Sequence, residues 1–144
     1  MSDREQTAVI CGGTAGVGRA TAHAFAQAGF RVAVIARGEQ GLADTRKELE
    51  AAGAKVLAIS ADVADAEAVD HAAERIEAEL GPIEVWVNAA MATVFGPVNK
   101  TSAAEFKRVT EVTYLGFVHG TLAALRYMEG VRLKGAVAEA ANGS

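Results

Sequence analysis

The chain has 144 residues, of which 51% are hydrophobic and 22% charged, and its formal net charge is −4. This composition is typical of a folded globular domain rather than a disordered one, and the slightly acidic balance gives no electrostatic basis for binding nucleic acid or a membrane surface. The lone cysteine, Cys11, excludes an intramolecular disulfide and a cysteine metal cluster, and no metal site is predicted. No apolar run approaches the ~20 residues of a membrane span. The polar N-terminus lacks the apolar stretch of a signal peptide, so we expect a cytoplasmic protein.

Short apolar runs alternate with longer helical patterns along the chain. The predicted elements, in chain order, are strand Thr7–Cys11, helix Gly16–Ala28, strand Arg31–Ile35, helix Glu39–Ala52, strand Lys55–Ile59, helix Ala66–Leu80 and strand Ile83–Val87. A glycine follows each helix, where it favours termination. A further helix is predicted to begin at Thr101 or Ser102 with Glu105 near the third position of a capping box, and its periodicity, with room for one break, continues to Met128.

The predicted strands are nearly continuous apolar runs, which is typical of parallel strands covered by helices on both faces. Alternation of strand and helix with short loops indicates right-handed crossovers. We therefore predict an α/β fold with a doubly wound, Rossmann-type parallel sheet of strand order 3-2-1-4. Its ligand crevice should lie at the carboxyl ends of strands 1 and 4. Residues 1–130 are interpreted as one nucleotide-binding domain, and residues 131–144 as a short unassigned tail.

A glycine-rich loop, GGTAGVG over residues 12–18, separates the first predicted strand from the first helix. A tight turn there requires backbone angles that glycine adopts most easily. The absence of side chains lets backbone N–H groups approach a pyrophosphate at the positive end of the helix dipole. Gly18 would let the helix pack close to the sheet, and Thr14 can add a hydroxyl donor. Such a turn can also occur without a ligand, but its position inside a βαβ unit favours nucleotide binding.

The motif CGGTAGVG resembles the TGxxxGxG loop of the short-chain dehydrogenase/reductase family, with Cys11 where that family usually has threonine. Asp62-Val63, after the third strand, is similar to the family's adenine-contacting DV pair. Asn88-Ala89-Ala90-Met91 is similar to its NNAG motif and matches at the first and third positions. The resemblance runs from about Thr7 to Met128. It implies the nucleotide-binding portion of such an enzyme, with cofactor-binding residues Gly12, Thr14, Gly16, Val17, Gly18, Arg37, Asp62, Val63, Asn88 and Ala90.

The end of the second strand indicates which dinucleotide is preferred. Proteins that bind NAD(H) commonly place a carboxylate there to accept a hydrogen bond from the ribose 2′-hydroxyl. This chain has Ala36 followed by Arg37 at that point. A guanidinium can pair with a 2′-phosphate in bidentate fashion, so the resemblance implies NADP(H) rather than NAD(H). The alternatives are that Arg37 is a solvated surface residue and that Asp62 caps a turn or helix. Cys11 is interpreted as a small buried residue, since a redox role would need a lowered pKa.

The catalytic residues that the resemblance implies are not found in this chain. Hydride transfer in the family relies on a serine and a YxxxK pair, often with an asparagine, whereas Tyr114 and Tyr127 are followed by valine four residues later. Thr113 stands at the asparagine position, and the three histidines are interpreted as structural. We therefore expect a truncated member of the family that binds NADP(H) without catalysis. A ligand-free structural or regulatory module and an enzyme completed by a partner chain remain alternatives.

Self-association is also predicted. If the fourth strand ends the sheet, its unpaired backbone groups favour pairing with another chain. The last helix carries an apolar stripe, and exposed apolar surface of this kind marks interfaces. The residues of the stripe are Val112, Leu115, Val118, Leu122, Leu125 and Met128. We expect a homo-oligomer formed through the edge of strand 4 or through the last helix.

Overall fold

The structure is a computed structural model that describes residues 6–128. Its elements are β1 (Thr7–Cys11), α1 (Gly16–Gln27), β2 (Arg31–Ala36), α2 (Glu39–Ala51), β3 (Val56–Ser60), α3 (Ala66–Glu79), β4 (Ile83–Asn88) and α4 (Ala103–Val109). A 3-10 turn precedes α4, a π-helical segment (Thr110–Leu115) follows it, and helix α5 then covers 116–128. Each predicted strand and each of the first three helices ends within one residue of its observed bound. The predicted tail, residues 131–144, lies outside the described residues.

The four strands form one parallel sheet of order β3-β2-β1-β4, which confirms the predicted topology. At the centre of the sheet Ile10 of β1 lies opposite Val34 of β2 and Val87 of β4. Alternate residues of β1 enter two separate cores. Ile10 packs with the side chains of α1 and α2 on one face, whereas Val9 packs with those of α3 and α5 on the other. Helices therefore cover both faces, as the continuous apolar strands predict.

Local backbone chemistry explains where the helices begin and end. After α1, Gly29 adopts a positive φ of 88°, and the Phe30 N–H donates to the Phe25 carbonyl over 3.1 Å, which closes the helix in a Schellman-type turn. At the start of α4 the Ser102 side chain accepts from the Glu105 N–H, and the Glu105 carboxylate accepts from the Ser102 N–H. This is the predicted capping box, with Ser102 rather than Thr101 as the cap.

The π-helical segment is the break in the last helix that the periodicity left room for. The predicted apolar stripe is divided, since Val112 is buried whereas Leu122 and Leu125 are exposed. Small residues make the close contact instead. A Cβ at Gly116 would lie 2.7 Å from a methyl group of Val63, and a Cβ at Gly120 would lie 2.1 Å from the Asn88 side-chain oxygen. Because those side chains are missing, the helix can approach β4 and the loop that follows β3.

Candidate functional site

A cavity of about 420 Å³ lies where the carboxyl ends of β1, β2, β3 and β4 meet the start of α1. Ligand pockets in proteins commonly occupy about 300–1,000 Å³. The described lining is formed by Gly12, Thr14, Ala15, Gly16, Val17, Gly18, Ile35, Ala36, Arg37, Ala61, Asp62, Val63, Ala89, Ala90, Met91, Ala92, Arg108 and Val112. It includes every residue of the predicted cofactor-binding set except Asn88. The topology thus brings residues from four separate loops to one crevice.

The glycine loop is tightly packed against the rest of the crevice wall. Gly12 has a φ of +82°, and a Cβ there would lie 2.5 Å from the Ala90 backbone nitrogen. A Cβ on Gly18 would lie 2.0 Å from the Gly12 carbonyl oxygen. Real Cβ atoms cannot approach backbone this closely, so these two glycines let the start of α1, the end of β1 and the loop after β4 converge.

The N-termini of α1 and α2 have no capping side chain, unlike those of α3 and α4. The Asp65 side chain caps α3 and the Ser102 side chain caps α4, whereas the N-cap of α1 is Ala15, which offers no capping side chain. The first amides of a helix need partners and carry the positive end of its dipole. Because residues 15–18 line the cavity, the uncapped end of α1 is available to an anion placed there.

Three charged side chains, those of Arg37, Asp62 and Arg108, also line the cavity. Arg108 donates to both oxygens of the Asp62 carboxylate, from Nη1 to Oδ2 over 2.8 Å and from Nη2 to Oδ1 over 3.2 Å. Arg37, which follows β2, lines the same cavity. Asp62 also caps a turn, because its Oδ1 accepts from the Ala64 N–H over 3.0 Å. The crevice wall therefore holds two guanidinium groups and one carboxylate.

The pKa of Asp62 reflects these neighbours. Partial burial raises the pKa of the carboxyl. The hydrogen bonds from Arg108 and from the Ala64 N–H, together with the charges of Arg108 and Arg37, lower the pKa by more than burial raises it. The net pKa lies below the ordinary value of 3.8. The carboxylate is therefore ionised at neutral pH.

Asn88, the remaining residue of the predicted set, does not line the cavity, and its side chain forms hydrogen bonds within the protein. Its side-chain oxygen accepts from Trp86 Nε1 over 3.0 Å, and its amide nitrogen donates to Thr121 Oγ1 over 3.2 Å and to the Phe117 carbonyl over 3.4 Å. These bonds tie the end of β4 to α5. The cofactor role of Asn88 stays a prediction.

Cys11 and Thr113 also have structural surroundings. Burial raises the pKa of the Cys11 thiol to about 12, so the thiol is protonated and the interpretation as a buried core residue is confirmed. The Thr113 hydroxyl donates to the Ala92 carbonyl over 3.0 Å and accepts from the Ala92 N–H over 3.1 Å. It fixes the loop after β4 against the π-helical segment.

Two of the three histidines, His23 and His119, have hydrogen-bond partners in the protein, whereas His71 is exposed on α3. His23 Nε2 lies 2.9 Å from a carboxylate oxygen of Glu48, and His119 Nδ1 lies 2.8 Å from the Val63 carbonyl. Within residues 6–128 no group of three or more His, Cys, Asp or Glu side chains has the arrangement of a metal site. In the same range no helix is long and apolar enough to cross a bilayer.

Arg108 is the charged residue of the cavity that sequence reasoning missed. It lies 46 residues beyond Asp62, on a helix that carries none of the motifs on which the family resemblance rests. Its neighbours in sequence, Lys107 and Glu111, form an ordinary i,i+4 surface pair. No local signal distinguishes Arg108 from other surface arginines, so only the fold reveals its place.

Comparisons with known proteins agree with this geometry. The sequence profile of the short chain dehydrogenase family matches residues 6–141. An uncharacterized oxidoreductase of Bacillus subtilis, YxnA, is 32% identical over 134 residues, which are 93% of this chain and 38% of that protein. A variant of the actinorhodin polyketide ketoreductase with NADPH superimposes with a TM-score of 0.84 and 27% identity, over 91% of this chain and 50% of that one. An alcohol dehydrogenase of the archaeon Thermococcus sibiricus, complexed with 5-hydroxy-NADP, gives a TM-score of 0.80 and 31% identity over 85% and 53%.

The chain spans about half the length of these solved structures and less of the Bacillus relative. The family match covers most of its residues, and the sheet order and glycine loop agree with it. The chain belongs to the short-chain dehydrogenase family.

Proposed function

We propose that the crevice binds NADP(H), with the diphosphate against the glycine loop and the adenosine half toward Arg37 and Asp62. The observation that carries this proposal is the uncapped N-terminus of α1, whose residues 15–18 line a cavity of ligand size. The crevice fits such a group because Gly12 and Gly18 have no side chain at positions where a Cβ would collide with backbone atoms of the crevice wall. Two solved relatives of this fold carry NADPH and 5-hydroxy-NADP.

The preference for the phosphorylated cofactor follows from the end of β2. Ala36 ends the strand and cannot accept a bond from a ribose 2′-hydroxyl, whereas Arg37 follows it in the cavity wall. Guanidinium groups bind phosphate with two parallel hydrogen bonds. Val63 would contribute an apolar surface near the adenine, because it is buried between the cavity and α5.

A bound nicotinamide dinucleotide supplies or accepts hydride in this class of enzymes. The chain's own residues would bind and orient it. Of the groups that would move a proton, neither Tyr114 nor Tyr127 is followed by a lysine four residues later. The Thr113 hydroxyl is engaged with Ala92. We therefore expect the 144-residue chain to bind NADPH without oxidising it in the presence of carbonyl compounds.

Calorimetric titration of the folded chain with NADPH and NADH tests the proposal. We expect NADPH to bind at least tenfold more tightly than NADH, because a phosphate–arginine pair contributes on the order of 1.5–3 kcal/mol. Arg37→Ala should remove most of this preference, while Arg75→Ala, on the exposed face of α3, serves as the matched control. Equal losses for the two dinucleotides in Arg37→Ala would contradict the NADP(H) assignment.

The same titration separates the alternatives. No detectable binding of either NADPH or NADH favours a structural module without a ligand. NADPH oxidation with a panel of carbonyl compounds would indicate an active site that uses other residues or a partner chain. Binding without oxidation supports the proposal.

We also infer that the chain self-associates through β4 or the last helix. In the described part of the chain β4 pairs only with β1, and large apolar side chains of α5 are exposed, among them Phe117, Leu122 and Leu125. Size-exclusion chromatography with light scattering should show dimers or larger species. A monomer at high protein concentration would contradict this.

A further inference from the structure

Arg108 reaches the cavity from outside the segments that the sequence motifs identify. It lies on α4, yet its guanidinium holds the Asp62 carboxylate with two bonds and lines the same crevice. The two side chains are each 35% exposed, so the pair is partly withdrawn from solvent. An ion pair in the wall of a crevice changes the charge that an incoming ligand meets.

The charge of Asp62 has a direct consequence for Arg37. The positive charge of Arg37 is close enough to lower the pKa of Asp62. Both residues line the same cavity, so a carboxylate without Arg108 would attract Arg37 and would also repel a phosphate brought to it. Arg108 satisfies the carboxylate instead, in the bidentate geometry that suits a guanidinium best.

The position of the carboxylate is fixed from two directions. Its Oδ1 accepts from the Ala64 N–H and from Arg108 Nη2, while its Oδ2 accepts from Arg108 Nη1. Three of its roughly four acceptor sites are therefore used. Asp62 is held toward α4, and one acceptor site remains for a ligand donor.

We propose that Arg108 is a positioning residue that sets cofactor preference: by holding Asp62 it leaves Arg37 available to the 2′-phosphate of NADP(H). The inference rests on the proposed function and deepens it. It assigns the preference to an ion pair that joins the loop after β3 to α4, in addition to the single arginine after β2.

The test is a double-mutant cycle on the full chain, with NADPH and NADH binding measured by calorimetry. Arg108→Gln is expected to weaken NADPH about tenfold and NADH by less than about threefold, because the freed Asp62 then competes for Arg37. Adding Asp62→Asn removes that competition. Relative to Asp62→Asn alone, the added Arg108→Gln should therefore change the ratio of NADPH to NADH affinity by less than about threefold, a loss of coupling that a purely structural role of Arg108 would not give.

Arg126→Ala provides a matched control. Arg126 Nη1 lies 3.3 Å from Asp70 Oδ1, an ion pair between α5 and α3, and neither residue lines the cavity. Its removal should leave both affinities unchanged. Should Arg108→Gln fail to fold by circular dichroism, Arg108→Lys keeps a charge without the planar fork, and an intermediate selective loss of NADPH is expected.

Four outcomes would overturn the inference. Equal loss of NADPH and NADH in Arg108→Gln, or no change in Arg108→Lys, means that the ion pair does not set preference. A further loss of NADPH preference when Arg108→Gln is added to Asp62→Asn means that Arg108 contacts the ligand itself rather than acting through Asp62. Absence of binding of either dinucleotide to the unsubstituted folded chain overturns the proposed function together with this inference, and so is distinct from the other three.

Discussion

Strands β1 and β4 are paired neighbours of similar apolar composition, but they differ in how they are covered. All five residues of β1 are buried, whereas in β4 only Ile83 is buried and Val85 and Val87 are partly exposed. β1 lies between two strands, while β4 pairs only with β1 within residues 6–128. A continuous apolar run thus determines that a strand forms, and its neighbours determine how much of it is buried.

The largest effect should come from the closely packed glycine loop that follows the buried strand β1. Gly18→Ala places a Cβ 2.0 Å from the Gly12 carbonyl oxygen, a backbone collision that no side-chain rotation relieves. We expect a loss of about 3 kcal/mol or more in the free energy of unfolding, measured by urea denaturation.

Gly38→Ala is the matched control for that substitution. Gly38 is the N-cap of α2 with a φ of −82°, and a Cβ there would meet no atom within 4 Å. Its cost should stay within about 1 kcal/mol. If Gly18→Ala lost no more free energy of unfolding than Gly38→Ala, the glycine loop would accept a Cβ more easily than its packing indicates.

A valine truncation compares the two strands directly. Val9→Ala in β1 removes two methyl groups from a fully buried position and should cost about 2–3 kcal/mol, while Val87→Ala in half-buried β4 should cost about 1 kcal/mol or less. Unfolding should be followed at two protein concentrations. Equal costs that depend on concentration would indicate that β4 is covered by another copy in solution.

The N-cap of α4 tests the less buried region alone. Among its residues Ala103–Val109 none is buried, so its stability depends strongly on the capping box of Ser102 and Glu105. Ser102→Ala should cost about 1 kcal/mol. In the Ser102→Ala variant, amide hydrogen exchange should become faster in α4 first, and in the buried strand β1 only with further destabilisation. Unchanged exchange in α4 would contradict the importance of this cap.

The smallest expected effect concerns acid stability at the junction of α1 and α2. Hydrogen bonds from Arg19 and then His23 hold the pKa of Glu48 below its ordinary 4.5, against a smaller raising by burial. A carboxyl with a lowered folded-state pKa stabilises the protein above 4.5, and this contribution is lost as the pH falls through the folded-state value. The stability difference between the protein and Glu48→Gln should therefore shrink on acidification. A difference that does not vary with pH would rule out this linkage.

Local features were predictable from sequence, and long-range ones were not. The apolar run ending at Cys11 and the glycines after it predict β1, the turn and α1, because each depends on nearby residues. The pair of Asp62 and Arg108 joins residues 46 positions apart, and no local pattern selects that arginine. Nor does hydrophobic periodicity reveal the close packing of α5 at Gly120, because that contact depends on a missing side chain.

Amide hydrogen exchange with and without saturating NADPH tests most directly whether a diphosphate rests on the start of α1. We predict slower exchange in peptides covering residues 12–18, with unchanged exchange in peptides of α3, whose residues do not line the cavity. Unchanged exchange over residues 12–18, in a chain shown to be folded, would contradict the proposed nucleotide site.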